Sequence, residues 1–160
     1  MGPIKVLIAD DDESIVWVLE KLLMEKGLET VSAKDGTEAA EALSGSIQLA
    51  LLDINMPGKD GLRLLTEAKE AGREASFIMM TAESTMKNTL EAMRLGAFDY
   101  ITKPFDLGEL EVTIDKAIEN IRLKGKVTAL TERLKERLSG ETAFIGKSKA
   151  VEEVFKKAGK

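Results

Sequence analysis

Residues 47–61 read IQLALLDINMPGKDG, and the fold turns on how they are parsed. Ile47–Leu52 is an apolar run of strand length, too short for a buried helix. Asp53 closes it, the Pro57-Gly58 pair supplies a turn, and a helical pattern follows over roughly 61–71, ending near Gly72. A fully apolar strand that hands over directly to a helix is the repeating unit of a parallel sheet with both faces covered.

The same unit recurs on either side. Upstream, Ile4–Ala9 is an apolar strand interrupted only by Lys5. A helix over 13–26 follows, with Val16, Leu19, Leu22 and Leu23 on one face and Gly27 as its stop. Glu29–Ala33 alternates polar and apolar, as a half-exposed strand does, and a helix over 36–44 comes next. Downstream, Phe77–Met80 is a third apolar strand, a helix over 85–95 stops at Gly96, and Phe98–Thr102 is the last strand. Asp106 then starts a helix, with Glu109 placed as its capping-box partner. Five strand–helix units in alternation call for an α/β, doubly wound parallel sheet. The runs at 4–9, 47–52 and 77–80 are the most apolar and belong in the centre; 29–33 and 98–102 belong at the edges. Right-handed crossovers then favour the flavodoxin-like (βα)5 order 2-1-3-4-5.

Beyond residue 105 one helical stripe runs through Leu107, Leu110, Ile114, Ala117 and Ile121, and a second through Leu123, Val127, Leu130, Leu134 and Leu138. A two-residue step at 121–123, beside Gly125, separates them. This divides the chain into a domain over 1–122, a separate amphipathic linker helix over 123–139 ending at Ser139-Gly140, and a short segment over 140–160 too small to fold alone. Near-heptad spacing in the second stripe suits a short coiled coil, hence a homodimer. Packing on its own domain is the plainer alternative.

Composition narrows the function. The 160 residues are 44% hydrophobic and 32% charged, with net charge -5, which suits a soluble globular protein and argues against a nucleic-acid surface. No apolar run is long enough to span a membrane, and the start passes into a strand without room for a signal peptide. There is no cysteine and no histidine, so neither disulfide nor thiol chemistry, nor a histidine base or ligand, is available. A cytoplasmic location is compatible with this.

In a sheet of this order, ligands bind outside the carboxyl ends of the strands, where strands 1 and 3 diverge. Those ends carry Asp10-Asp11-Asp12, Asp53, Thr81 and Lys103-Pro104. Carboxylates gathered there repel one another. A hard cation such as Mg²⁺ relieves this, taking one or two carboxylates with phosphate oxygens and water. Three aspartates in the first loop disfavour a nucleotide phosphate, which needs an amide cradle. Asp53 can then act as a nucleophile that becomes an acyl phosphate. Mg²⁺ and Lys103 offset the charge on the transferring group, and the Thr81 hydroxyl can bond to a phosphoryl oxygen. Each residue taken alone has a plainer reading: helix capping for Asp10–Asp12, a turn for Asp53. Four strand ends converging on one rim outweigh these.

The segments VLIADDDESI, LALLDINMPGKDG, FIMMTAE and AFDYITKPF resemble the receiver domain of two-component response regulators, over about residues 4–121. The resemblance implies that Asp53 is the phosphoacceptor and that Asp10 and Asp11 are the acidic pair. Asp11, Asp53 and the backbone carbonyl of Asn55 would be the Mg²⁺ ligands. It implies that Thr81 and Tyr100 are the switch pair, that Lys103 pairs with the phosphoryl group across a cis bond to Pro104, and that Asn55 and Glu83 tune phosphoryl lifetime. Asp12 has no family role and reads as an N-terminal helix residue. WVLEKLL, MPGKDGLRLL and the run from Gly96 to Glu119 look like receivers of NtrC-type activators. FIGKSKAVEEVFKKAG at 144–159 is similar to the segment that opens the AAA+ domain of sigma-54-dependent activators, which commonly has Pro in place of Lys149.

The phosphate-binding loop expected soon afterwards does not occur, so the expectation is a chain that stops just inside an ATPase domain and neither hydrolyses ATP nor binds DNA. A sensor histidine kinase is the implied partner. The implied dimer surfaces are the linker helix and the face formed by the fourth helix, fifth strand and fifth helix. A stand-alone receiver acting by protein contact is the alternative. A phosphatase with an aspartyl nucleophile is disfavoured, because such enzymes need a second acid where Asn55 sits.

Overall fold

A computed structural model of the chain describes residues 2–82 and 86–145, apart from the side chains of residues 86 and 140–145. Glu83 and the segment from residue 146 onward lie outside the described residues. Five strands and five helices alternate: β1 (Lys5–Ala9), α1 (Glu13–Glu25), β2 (Glu29–Ala33), α2 (Gly36–Leu43), β3 (Leu49–Asp53), α3 (Gly61–Glu70), β4 (Ser76–Thr81), α4 (Met86–Arg94), β5 (Asp99–Thr102) and α5 (Leu107–Ile145). All pairings are parallel and the order is β2-β1-β3-β4-β5, as the hydrophobic pattern requires.

Period-2 alternation divides the sheet residues between two cores. Leu7, Ala9, Ala50, Leu52, Phe77 and Met79 pack under α2 and α3 with Ala39, Leu43, Leu64, Leu65 and Ala68. Val6, Ile8, Leu49, Leu51, Ile78 and Met80 pack on the other side under α1 and α5 with Leu19, Leu23, Leu110, Ile114 and Ala117. Every residue of β3 is buried, whereas β2 and β5 expose polar positions, as central and edge strands do. Each fully buried Leu or Ile contributes about 1.5–3 kcal/mol, so these two apolar sets fix the strand order and hold the strand ends in register.

The C-terminal helix departs from expectation. The sequence pattern predicts a break beside Gly125 and an end at Ser139-Gly140; instead α5 runs without interruption from Leu107 to Ile145. A glycine inside a helix costs only about 1 kcal/mol relative to alanine. Ending one helix and nucleating another costs more, because nucleation fixes several residues for one hydrogen bond. The change of stripe therefore marks a change in what the helix faces. By its internal contacts the chain divides into two units, one ending at Ile121 and the other starting at Arg122. In the second unit, Leu123, Val127, Leu130 and Leu134 are exposed.

Candidate acidic site at the strand ends

β1 and β3 lie side by side, with Ala9 opposite Leu52, so the residues that follow each strand meet at one edge. Asp10 and Asp53 are buried, at 1% and 5% exposure, and Asp11 is exposed. One carboxylate oxygen from each of Asp10, Asp11 and Asp53 lies within 4.8 Å of the others. The backbone holds this arrangement in place. The Asp10 amide donates to the Ala33 carbonyl and the Ile54 amide to the Met80 carbonyl. The Asp12 amide donates to Asp10 Oδ1 at 2.9 Å, and the Asn55 amide to Asp53 Oδ1 at 3.2 Å. Asp12 is the N-cap of α1, its side chain accepting from the Ser14 amide, so the first two aspartates face the pocket and the third serves the helix.

Lys103 enters from β5. Its amide donates to the Thr81 carbonyl at 2.7 Å, and the Lys103-Pro104 bond is cis. Its Nζ lies 2.5 Å from Asp10 Oδ2 and 3.3 Å from Asp53 Oδ2, so one ammonium bridges both buried carboxylates. Burial alone would lower the Lys103 pKa; the Asp10 bond and charge, with the Asp53 charge, outweigh it and raise it. For Asp53 the balance goes the other way. Burial and the Asp10 charge raise its pKa, against the opposing pull of Lys103 and the Asn55 amide. A lysine shared between two acids leaves the carboxylate cluster short of positive charge.

Thr81 closes β4, is buried at 1% exposure, and pairs across the ladder with Thr102. Tyr100 pairs with Met79, two residues along on the same face, and stands exposed at 37%. Asn55 lies two residues after Asp53, exposed in the loop beyond the buried Ile54. The structure thus gathers Asp10, Asp11, Asp53 and Lys103 in one pocket. It places Thr81 at the adjoining strand end and Tyr100 farther along β5.

The geometry also shows contacts that sequence spacing did not suggest. Lys103 binds Asp10 more closely than Asp53. Gly61 packs on the end of β3, where a Cβ would lie 2.5 Å from the Asp53 carbonyl oxygen. Gly36 packs on the following loop, where a Cβ would lie 2.1 Å from the Lys59 carbonyl oxygen. A glycine at the start of a helix that already has an Asp N-cap was the available clue for Gly36.

The donor set fits Mg²⁺: clustered hard carboxylate oxygens, two of them buried, with a loop carbonyl one residue beyond Ile54. The model for the response regulator receiver domain matches residues 6–115. The chain is 37% identical over 157 residues to the DNA-binding transcriptional regulator NtrC of Escherichia coli strain K12, covering 97% of this chain and 32% of that protein. It therefore spans about a third of the length of the NtrC relatives it matches. Among solved structures, NtrX from Brucella abortus superposes with a TM-score of 0.72 at 32% identity, over 81% of this chain and 30% of that one. A CheX-CheY-BeF3-Mg²⁺ complex from Borrelia burgdorferi gives 0.67 at 28%, over 72% and 90%.

Proposed function

The chain belongs to the response regulator receiver family, and from that premise we propose that Asp53 accepts a phosphoryl group from a sensor histidine kinase and so controls the association of the chain and an attached activator. The observation that carries this reading is the pocket in which Asp10, Asp11, Asp53 and Lys103 converge from three strand ends.

In the proposed reaction an Asp53 carboxylate oxygen attacks phosphorus. The new O–P bond forms as the N–P bond to the donor histidine breaks, and the histidine nitrogen keeps the electron pair and takes a proton. Asp11, Asp53 and the Asn55 carbonyl would hold Mg²⁺, with Asp10 completing the acidic cluster beside them; when bound, the ion supplies charge neutralisation for the transferring group. Lys103 is already within reach of Asp53 and supplies the second positive charge. Thr81, at the neighbouring strand end, moves toward the phosphoryl group and bonds to one of its oxygens. Tyr100 moves inward in response, altering the face formed by α4, β5 and α5. Asn55 and Glu83, beside the acceptor and the switch threonine in sequence, set how long the acyl phosphate lasts.

Similarity to NtrC supports the wider context of a cytoplasmic sigma-54 activator. There, the domain over 1–122 passes its state through the linker at 123–139 to an ATPase beginning within 140–160. Dimerisation through the linker helix, or through the α4, β5 and α5 face, is the proposed output. No helix among the described residues is long and apolar enough to cross a membrane.

Incubation with acetyl phosphate and Mg²⁺, followed by intact mass spectrometry, tests the chemistry. The expected result is a gain of one phosphoryl group that requires Mg²⁺ and is lost in Asp53→Ala. An unmodified mass, or modification that survives Asp53→Ala, contradicts the proposal.

A further inference from the structure

We propose that Gly36 is a positioning residue for the acidic site: its lack of a side chain is what allows the Asn55–Lys59 loop to hold the Asn55 carbonyl where Mg²⁺ needs it. This rests on the reading of Asp11, Asp53 and the Asn55 carbonyl as the Mg²⁺ ligands, with Asp10 beside them.

The contact joins two segments distant in sequence. The Gly36 amide donates to the Pro57 carbonyl at 3.0 Å. A Cβ at Gly36 would lie 2.1 Å from the Lys59 carbonyl oxygen, 2.5 Å from its nitrogen and 2.7 Å from its Cβ. Real Cβ contacts essentially never fall below 3.0 Å, so any side chain here forces the two segments apart by about 1 Å.

Neither segment can retreat freely. On one side, α2 is pinned by Ala39 and Leu43 in the core. Its start is tied by the Glu38 amide donating to Asp35 Oδ1 and the Lys34 amide donating to Glu38 Oε2. On the other side, Ile54 and Met56 are buried, Lys59 Nζ is held by Glu67 at 2.8 Å, and Gly61 lies on the Asp53 carbonyl. Between these anchors Asn55, Pro57 and Gly58 are exposed, and they are the part left to move. Mg²⁺ demands near-ideal octahedral geometry, and a misplacement of about 1 Å in a reacting site can cost about 10²-fold. Gly36 thus acts on the metal through the loop without touching it.

The test compares Gly36→Ala with Gly45→Ala, whose new Cβ meets nothing closer than 3.4 Å. Mg²⁺ affinity is measured by calorimetry on chains that retain cooperative melting. Gly36→Ala is expected to weaken Mg²⁺ binding by about tenfold or more, the usual scale for groups that orient ligands, with Gly45→Ala unchanged. Equal affinity in Gly36→Ala, or an equal loss in Gly45→Ala, overturns the proposal.

Amide exchange on the parent chain covers the case in which Gly36→Ala fails to fold. Mg²⁺ is expected to slow exchange at the Gly36 amide several-fold and to leave the Gly45 amide unaffected. No change at Gly36 overturns the proposal. A parent chain that binds no Mg²⁺ contradicts the reading of the acidic site itself, and this inference with it; a parent that binds while Gly36→Ala binds equally well contradicts the inference alone.

Discussion

At Asp53, burial and the charge of Asp10 act against the pull of Lys103, and the carboxyl is left above its ordinary pKa. A raised acid binds its proton more readily in the folded chain than in the unfolded one, so its ionised form costs stability at pH values above the folded pKa. Asp53→Asn removes that cost and leaves Lys103 its shorter bond to Asp10. In metal-free buffer at neutral pH this variant is expected to melt a few degrees higher than the parent. The gap should close as pH falls through the raised pKa of Asp53 toward the ordinary carboxylate range, and should also narrow when Mg²⁺ is added. Thermal melts over that pH range check the sign; a variant that melts lower at neutral pH contradicts it.

At this scale the carboxylates and Lys103 were legible, because each ends a recognisable strand and the topology carries strand ends to one rim. Gly36 was not, because the reason for its size is the Lys59 backbone, over twenty residues away in sequence and adjacent only after folding. The sharing of Lys103 between two acids was hidden for the same reason: spacing shows that charges meet, not how they pair.

At the scale of elements, α1 and α5 share one core through Leu19, Leu23, Ile114 and Ala117, and a cluster of ion pairs closes its edge. Lys26 Nζ lies 3.0 Å from Glu111 and 2.8 Å from Asp115, with its side chain 18% exposed. Both acids are about half exposed, so the cluster contributes only about 0.5–1 kcal/mol. Lys26→Met is expected to lower stability by that amount at neutral pH, as read by urea unfolding. The Asp115 and Glu111 bonds raise the Lys26 pKa against the effect of burial. Its contribution is therefore complete below the unfolded lysine value and is lost as pH rises through the higher folded value, so parent and variant converge in strong alkali.

Helix and strand types were legible from period 3.6 against period 2, and the central strands from their unbroken apolar runs. Continuity of α5 was not. A phase slip and a glycine look like a boundary in sequence, but the cost of one internal glycine is below that of a new helix end. Gly125→Ala is expected to stabilise the helix by about 1 kcal/mol. Circular dichroism and thermal melting of the pair would read this, and no gain in helicity contradicts an unbroken helix there.

For the whole molecule, the second unit of α5 presents its apolar stripe to solvent among basic residues. With Leu123 and Leu130 at heptad position d and Val127 and Leu134 at position a, the flanking e and g positions hold Lys124, Lys126 and Arg133 without acidic counterparts. A parallel pair through this stripe would gain apolar burial and suffer like-charge repulsion along its flanks. Its association is therefore expected to tighten as salt rises, since the screening length falls from about 10 Å at 0.1 M to about 3 Å at 1 M. Scattering across a salt series checks this; weakening with salt would point to an acidic partner for the stripe instead.

The central claim is that a phosphoryl group on Asp53 changes how the chain associates. Sedimentation velocity with and without beryllofluoride and Mg²⁺, on the parent and on Asp53→Ala, tests it most directly. The account predicts a shift in the monomer–dimer distribution that needs beryllofluoride, Mg²⁺ and Asp53 together. Identical sedimentation of the parent in all conditions, or a shift that persists in Asp53→Ala, would contradict it.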